Sequence, residues 1–243
     1  MKEIGCEVPV VVLTSASSLD SDVQVMELGA YDYLEKGRVS PEIFERCMRY
    51  VLARVDAESQ IRKAAFYDEL TGLPNRRLLI EKMTSAFERA KRRESEVNVL
   101  LIDLNDFKPV NDDFGHEAGD AVLAEVAQRL ENAVRKTDTA ARWGGDEFIV
   151  VLEDFKDRGN ATMIAEKVMQ HLEAPIEYGG NTFKVSGSFG MVFYPEFALD
   201  VDEIISVADQ AMYKAKKINK STGAAGGTIV VLSPQDLEKS ERP

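Results

Sequence analysis

The stretch Gly144-Gly145-Asp146-Glu147-Phe148 sets two acids directly after two glycines and directly before the apolar run of residues 148–152. The glycines permit a tight turn in which backbone approaches a ligand with no Cβ in the way. The β-rich run then carries the chain back into a sheet. Carboxylates on such a hairpin suit a hard cation such as Mg²⁺, which commonly arrives with phosphates. Gly and Asp are also ordinary turn residues, so this segment alone reads equally as a surface hairpin with solvated acids. A second acidic segment decides the matter. Residues 97–102 are a short apolar run, read as a strand buried on both faces, and Asp103 stands where that strand should surface. A carboxylate there is costly unless it is paired or bound to metal. Beyond it lie Lys108, Asn111, His116 and Asp120, able to meet phosphate, base edge and ribose. Residues 111–115 read as a turn followed by a helix N-cap.

These residues must be held by the elements around them. Helix and strand patterns alternate: helix 77–93, strand 97–103, helix 118–134, hairpin 138–152, helix 161–172, a hairpin near 176–194 and helix 201–217. A Gly/Ala-rich flexible loop over 221–227 precedes a last strand at 228–232. The first 55 residues are a different object. Residues 8–13 read as a buried strand ending in small hydroxyl residues, 21–28 as a helix and 29–36 as a short second strand. Pro41 opens a helical stretch that runs to about Phe66. Its apolar face is Ile43, Phe44, Cys47, Met48, Val51, Leu52 and Val55, too short for a coiled coil.

Composition bounds the function. A chain of 243 residues with 44% hydrophobic content has room for one good-sized core plus a smaller piece. No run approaches the ~18–20 apolar residues of a membrane span, and no signal peptide is visible at Met1. Cys6 and Cys47 match no metal spacing and fit a reducing cytoplasm. A net charge of −12 argues against a nucleic-acid surface. An anionic nucleotide would need Mg²⁺, Lys108 and Lys216 to hold it locally.

Together these motifs resemble the diguanylate cyclase family, called GGDEF domains after the hairpin that stands intact here. The resemblance covers roughly residues 67–232. Asp68 to Arg76 matches the family's opening segment, and Asp103 to Asp120 its metal and guanine segment. Val185 to Gly190 and Asp209 to Lys216 match its closing strand and helix. It implies an α/β (α+β) fold with a central, mainly antiparallel sheet flanked by helices, similar to the palm of nucleotidyl cyclases and polymerases. The implied activity is condensation of two GTP into cyclic di-GMP, with two pyrophosphates released, by a cytoplasmic homodimer. Asp103, Asp146, the Leu104 carbonyl and Glu147 would ligate Mg²⁺ (or Mn²⁺), two ions per site. Asp146 is the implied general base, and Glu147 could share that role. Lys108 would stabilise phosphate charge, Asn111 and Asp120 would read guanine, and His116 would lie near the nucleotide. Gly144 and Gly145 would admit the substrate, with Lys216 and Lys220 on its phosphates.

The chain departs from the family at Asn219-Lys220-Ser221, where Gly-Arg-Asn is usual; Lys220 supplies charge but no bidentate fork. Arg135 and Asp138 have the spacing of the family's product-inhibitory site. A second inhibitory arginine, expected 22 residues after Gly144, is replaced by Glu166. The alternative function is a catalytically weak or inactive domain that binds cyclic di-GMP or GTP and signals by contact. Residues 1–55 resemble the second half of a response-regulator receiver domain, with Thr14, Tyr33 and Lys36 as its switch hydroxyl, switch aromatic and phosphate-pairing lysine. The phosphoacceptor half is absent, which reads either as truncation or as a half-domain with another use. The expected organisation is thus 1–55 partial receiver, 56–66 helical linker, 67–233 cyclase domain and 234–243 polar tail.

Overall fold

A computed structural model describes residues 8–15, 26–155, 157–197, 200–222 and 226–238. The chain forms two compact units, residues 1–65 and 66–243. In the first, β1 (Val11–Thr14) pairs in parallel with β2 (Asp32–Glu35). Pro41 opens α1 (Pro41–Phe66), and the Ser40 hydroxyl accepts from the Ile43 amide at 3.3 Å. Leu34, Cys47 and Val51 form a small core with Val11, Tyr31, Ile43, Met48 and Val55 around it. The expected apolar face therefore splits, because Phe44 and Leu52 stand exposed. The Cys47 thiol donates to Asp32 Oδ2 at 3.1 Å; burial, then this carboxylate, push its pKa up to about 11. That makes it a packed thiol rather than a ligand. Cys6 and most of the helix expected at 21–28 lie outside the described residues.

The second unit is built on a five-stranded sheet of order β4-β5-β3-β8-β9. Its strands are β3 (Val97–Asn105), β4 (Thr139–Gly144), β5 (Glu147–Leu152), β8 (Ser186–Tyr194) and β9 (Thr228–Val231). All pairings are antiparallel except β8 with β9. Central β3 has eight of its nine residues buried, as an apolar run covered on both faces requires.

Period-two alternation then sorts the side chains. Leu100, Ile102, Phe148, Val150, Phe189, Met191 and Phe193 pack against α4 (His116–Ala133) and α5 (Arg158–Leu172). Val97, Val99, Leu101, Ile149, Val151 and Val192 pack against α2 (Arg76–Arg93) and α6 (Val201–Thr222). By the same alternation Asp103, Asn105, Glu147, Ser186 and Ser188 all fall on the α2/α6 side, at one end of the sheet. Helix α6 lies hard against that side. A Cβ on Gly190 would sit 2.1 Å from the Ala208 carbonyl oxygen and 2.4 Å from the Met212 nitrogen.

Several elements differ from expectation, each for a local reason. Strand β3 runs two residues past Asp103, because Asn105 still pairs with Ser186, so Asp103 is only 6% exposed. Residues 111–114 belong to a helix, α3 (Phe107–Phe114), in which Pro109 occupies a first-turn position that needs no amide. Gly115, at φ 86°, separates it from α4. β6 (Ile176–Tyr178) and β7 (Asn181–Phe183) pair only with each other, while β8 inserts between β3 and β9. Helix α6 extends five residues beyond the expected end at 217, through Asn219 and Lys220, with no glycine to stop it. Residues 221–222 of the expected loop are its last turn, and 223–225 lie outside the described residues. Part of the polar tail is a short helix, α7 (Pro234–Glu238).

Gly190→Ala should force backbone from backbone and lower stability by about 1–3 kcal/mol. Urea unfolding of the two proteins measures this; an unchanged midpoint would mean that the close approach carries no strain.

Candidate active site

The site is assembled from three elements of the second unit. β3 contributes Asp103. β5 contributes Glu147, directly opposite Asp103 in register. The turn between β4 and β5 contributes Asp146, whose carbonyl accepts from the Leu104 amide at 3.2 Å. Gly145 enters that turn at φ 55°, in the left-handed region.

Burial makes this acidic group costly. It pushes the Asp103 carboxyl above the ordinary carboxylate range against the pull of Lys216, with Asp146 and Asp209 adding to the rise. Glu147 is also raised, first by burial and then by Asp103. One cation answers directly: Lys216 Nζ lies 2.6 Å from Asp103 Oδ2.

A cavity of about 770 Å³ opens over this cluster. Asp103, Leu104, Lys108, Asp146, Lys216 and Lys220 line it. Asn105, Asp106 and Ser186 line it too, although nothing in their types singles them out in sequence, as does Asn219 of the departing segment. Among the described residues no three His, Cys, Asp or Glu side chains form a ready-made metal cage. Mg²⁺ needs none, since it commonly takes one or two carboxylates and completes its shell with water and phosphate. Two acids beside a strand-end carbonyl, in a cavity that also carries lysines, fit that requirement.

The other expected residues are placed as follows. Asn111 lies on α3 against Gly119 of α4; a Cβ on Gly119 would fall 2.0 Å from Asn111 Oδ1. His116 and Asp120 are exposed on the first turns of α4. Gly144 and Gly145 line a separate cleft with Asp68, Arg76, Arg142 and Trp143. Arg135 and Asp138 line a third cavity of about 470 Å³ with Tyr67, Lys82 and Lys136. Both Asp138 oxygens accept backbone amides, from Arg135 at 2.9 Å and Glu153 at 3.2 Å.

One positioning contact is absent from the sequence reading. Arg142 donates to the Gly145 carbonyl at 3.0 and 2.8 Å and to Asp68 Oδ1 at 3.0 Å. Thr71 also donates to Asp68, through its amide and hydroxyl. The opening segment thereby holds the acidic turn. A lone arginine two residues before a Gly-Gly pair carries no signal of a partner 74 positions away.

The family profile described as "Diguanylate cyclase, GGDEF domain" matches residues 65–222. The chain belongs to this family. The GGDEF domain is 39% identical over 165 residues to the bifunctional diguanylate cyclase/cyclic di-GMP phosphodiesterase MucR of Pseudomonas aeruginosa, covering 68% of this chain and 24% of that protein. It is 33% identical over 199 residues to the diguanylate cyclase TpbB of the same species, covering 82% of this chain and 46% of TpbB. The solved GGDEF domain of TpbB superposes with a TM-score of 0.65 at 34% identity, over 72% of this chain and 99% of that one. The chain thus spans between a quarter and a half of these curated relatives, and the mixed sheet flanked by helices is the GGDEF fold.

Asp68 offers a pH test. Burial pushes its carboxyl up, but hydrogen bonds from Thr71 and Arg142 outweigh that and leave it below its ordinary value. A depressed folded pKa stabilises above the unfolded value, and the benefit is lost as pH falls through the folded one. Asp68→Asn should therefore be less stable than wild type at pH 7, with the gap closing below about pH 4. Urea unfolding across that range reads it; a gap independent of pH would contradict the ionic role.

Proposed function

We propose that the GGDEF domain condenses two GTP molecules into cyclic di-GMP. The observation that carries this reading is the pair of buried Asp103 and half-buried Glu147. Asp146 flanks the pair, and among the described residues Lys216 is its one direct counter-charge, on a cavity of about 770 Å³. Solvated hairpin acids would not be driven above their ordinary range. A group that pays this cost has a use for an incoming cation.

In this reading Asp103 and Asp146, with the Leu104 carbonyl and Glu147, would hold Mg²⁺ or Mn²⁺, two ions per site. Bound there, the metal supplies neutralisation of the charge that builds on the α-phosphate. Asp146, or Glu147 beside it, accepts the proton of a 3′-hydroxyl. That oxygen bonds to the α-phosphorus of the second GTP, and the bond to the β-phosphate oxygen breaks to release pyrophosphate. The reverse pairing repeats the step, so two phosphodiester bonds form and two pyrophosphates leave. Lys108, Lys216 and Lys220 meet phosphate oxygens as point charges. Asn111, held over Gly119, and Asp120 read the guanine edge, with His116 nearby. One domain binds one GTP, so two copies must face each other as a homodimer. GTP as substrate would require the site to face the cytoplasm; among the described residues no helix is long and apolar enough to cross a membrane.

Product control fits the third cavity. The Arg135 guanidinium has no ion pair among the described residues and is available to a phosphate or a guanine face. Solved relatives include a GGDEF domain with bound bis-(3′,5′)-cyclic di-GMP, 28% identical with a TM-score of 0.59. A binding module without turnover is the second reading, favoured by Lys220 standing where the family usually has arginine. For residues 1–55, the parallel β1–β2 pair supports the receiver-like reading. The Lys36 amide donates to the Thr14 carbonyl at 2.8 Å, bringing two of the three switch positions together.

Purified protein with GTP and Mg²⁺ should yield cyclic di-GMP, while Asp146→Ala should yield none and unfold at the wild-type temperature. An active Asp146→Ala protein would remove the catalytic assignment; inactive wild type that still binds cyclic di-GMP would favour the module. Arg135→Ala should weaken cyclic di-GMP binding about tenfold or more in calorimetry, the loss expected for a charged hydrogen-bond donor. Unchanged affinity would place product elsewhere.

A further inference from the structure

The α6 side of the sheet carries a polar chain with a defined direction. The Thr228 hydroxyl donates to Asn219 Oδ1. Asn219 Nδ2 donates to Ser188 Oγ at 3.0 Å, and Ser188 Oγ donates to Asn105 Oδ1 at 2.7 Å. Asn105 Nδ2 then donates to Ser186 Oγ at 3.1 Å. Every link passes a proton donor toward Ser186, and there the chain stops. The Ser186 hydroxyl is an acceptor in its only hydrogen bond to a described residue, so its own proton has no acceptor among them. It is half-buried and lines the cavity that Lys108, Lys216 and Lys220 also line.

An oriented hydroxyl donor among lysines, beside acids that fit a divalent cation, suits an anionic oxygen. A neutral acceptor would not explain the cations, and the lysines on the same cavity would repel a second cation there. Charge-assisted donation to an oxyanion is the stronger use of such a group. We propose that Ser186 is a further substrate-binding residue, donating to a non-bridging phosphate oxygen of the nucleotide. Asn105, Ser188 and Asn219 are its positioning residues. The proposal deepens the cyclase reading and rests on it. It also assigns a role to the segment that departs from the family. Asn219, where glycine is usual, lets α6 continue and anchors it to Ser188 and Thr228, with Lys216 and Lys220 one turn apart on the same helix.

The test is calorimetric titration of the full chain, with Mg²⁺, using a GTP analogue whose link between the α- and β-phosphates resists cleavage. Ser186→Ala should bind it about tenfold more weakly, the loss expected for a hydrogen bond to a charged group. Ser186→Thr, which keeps the hydroxyl, should bind like wild type, and both variants should unfold at the wild-type temperature. Ser186→Ala binding within twofold of wild type overturns the proposal and leaves the cyclase reading intact. Equal weakening in Ala and Thr variants with lowered unfolding temperatures overturns it in favour of a packing role. Wild-type protein that binds no nucleotide removes both.

Discussion

A carboxylate buried near the end of the central strand, tied to a single ammonium, is the interaction on which the rest of this domain turns. Asp103 sits between neighbours β5 and β8 and is almost out of solvent. Lys216 reaches it at 2.6 Å, yet burial still drives the carboxyl upward. One lysine therefore does not balance the acids gathered here. Strand alternation aims Glu147 to the same side, and the turn adds Asp146. The fold concentrates negative charge where it is least solvated; in the proposed reading that excess would attract a divalent ion with its phosphates.

Holding this arrangement takes rigid support from two directions. From one side Arg142 pins the acidic turn through the Gly145 carbonyl and Asp68. From the other, α6 is pressed onto β8 at Gly190 and fastened at its far end by Asn219. Lys216 lies between these two fixings. The helix that carries it is thus fixed by backbone packing and by a polar chain, and its ammonium is held at Asp103. That is what preorganised electrostatics requires, because a mobile charge would spend the gain on reorientation.

Much of this was legible in the sequence because it is carried by local pattern. The apolar run before Asp103, the glycine pair before Asp146 and the spacing of Lys216 within its helix are short-range signals. The family profile and the fold bear out the domain they announce. What could not be read is what depends on register and long-range contact. A strand that persists to Asn105 buries Asp103 instead of surfacing it, and only pairing with Ser186 decides that. Residues 111–115 read as a turn and N-cap, yet 111–114 belong to a helix whose first turn tolerates Pro109. The Asp68–Arg142 contact and the chain from Thr228 to Ser186 join residues far apart in sequence. In such chains each side chain is unremarkable until its partner is known.

The proposed role of buried Asp103 is to hold a divalent ion with the nucleotide. The most direct measurement replaces Mg²⁺ with paramagnetic Mn²⁺ and follows protein-bound Mn²⁺ by electron paramagnetic resonance in the presence of a GTP analogue that resists cleavage. Wild-type protein should show a bound ion whose signal depends on the nucleotide, and Asp103→Asn should lose that signal while remaining folded. Equal Mn²⁺ binding by the two proteins would contradict the account.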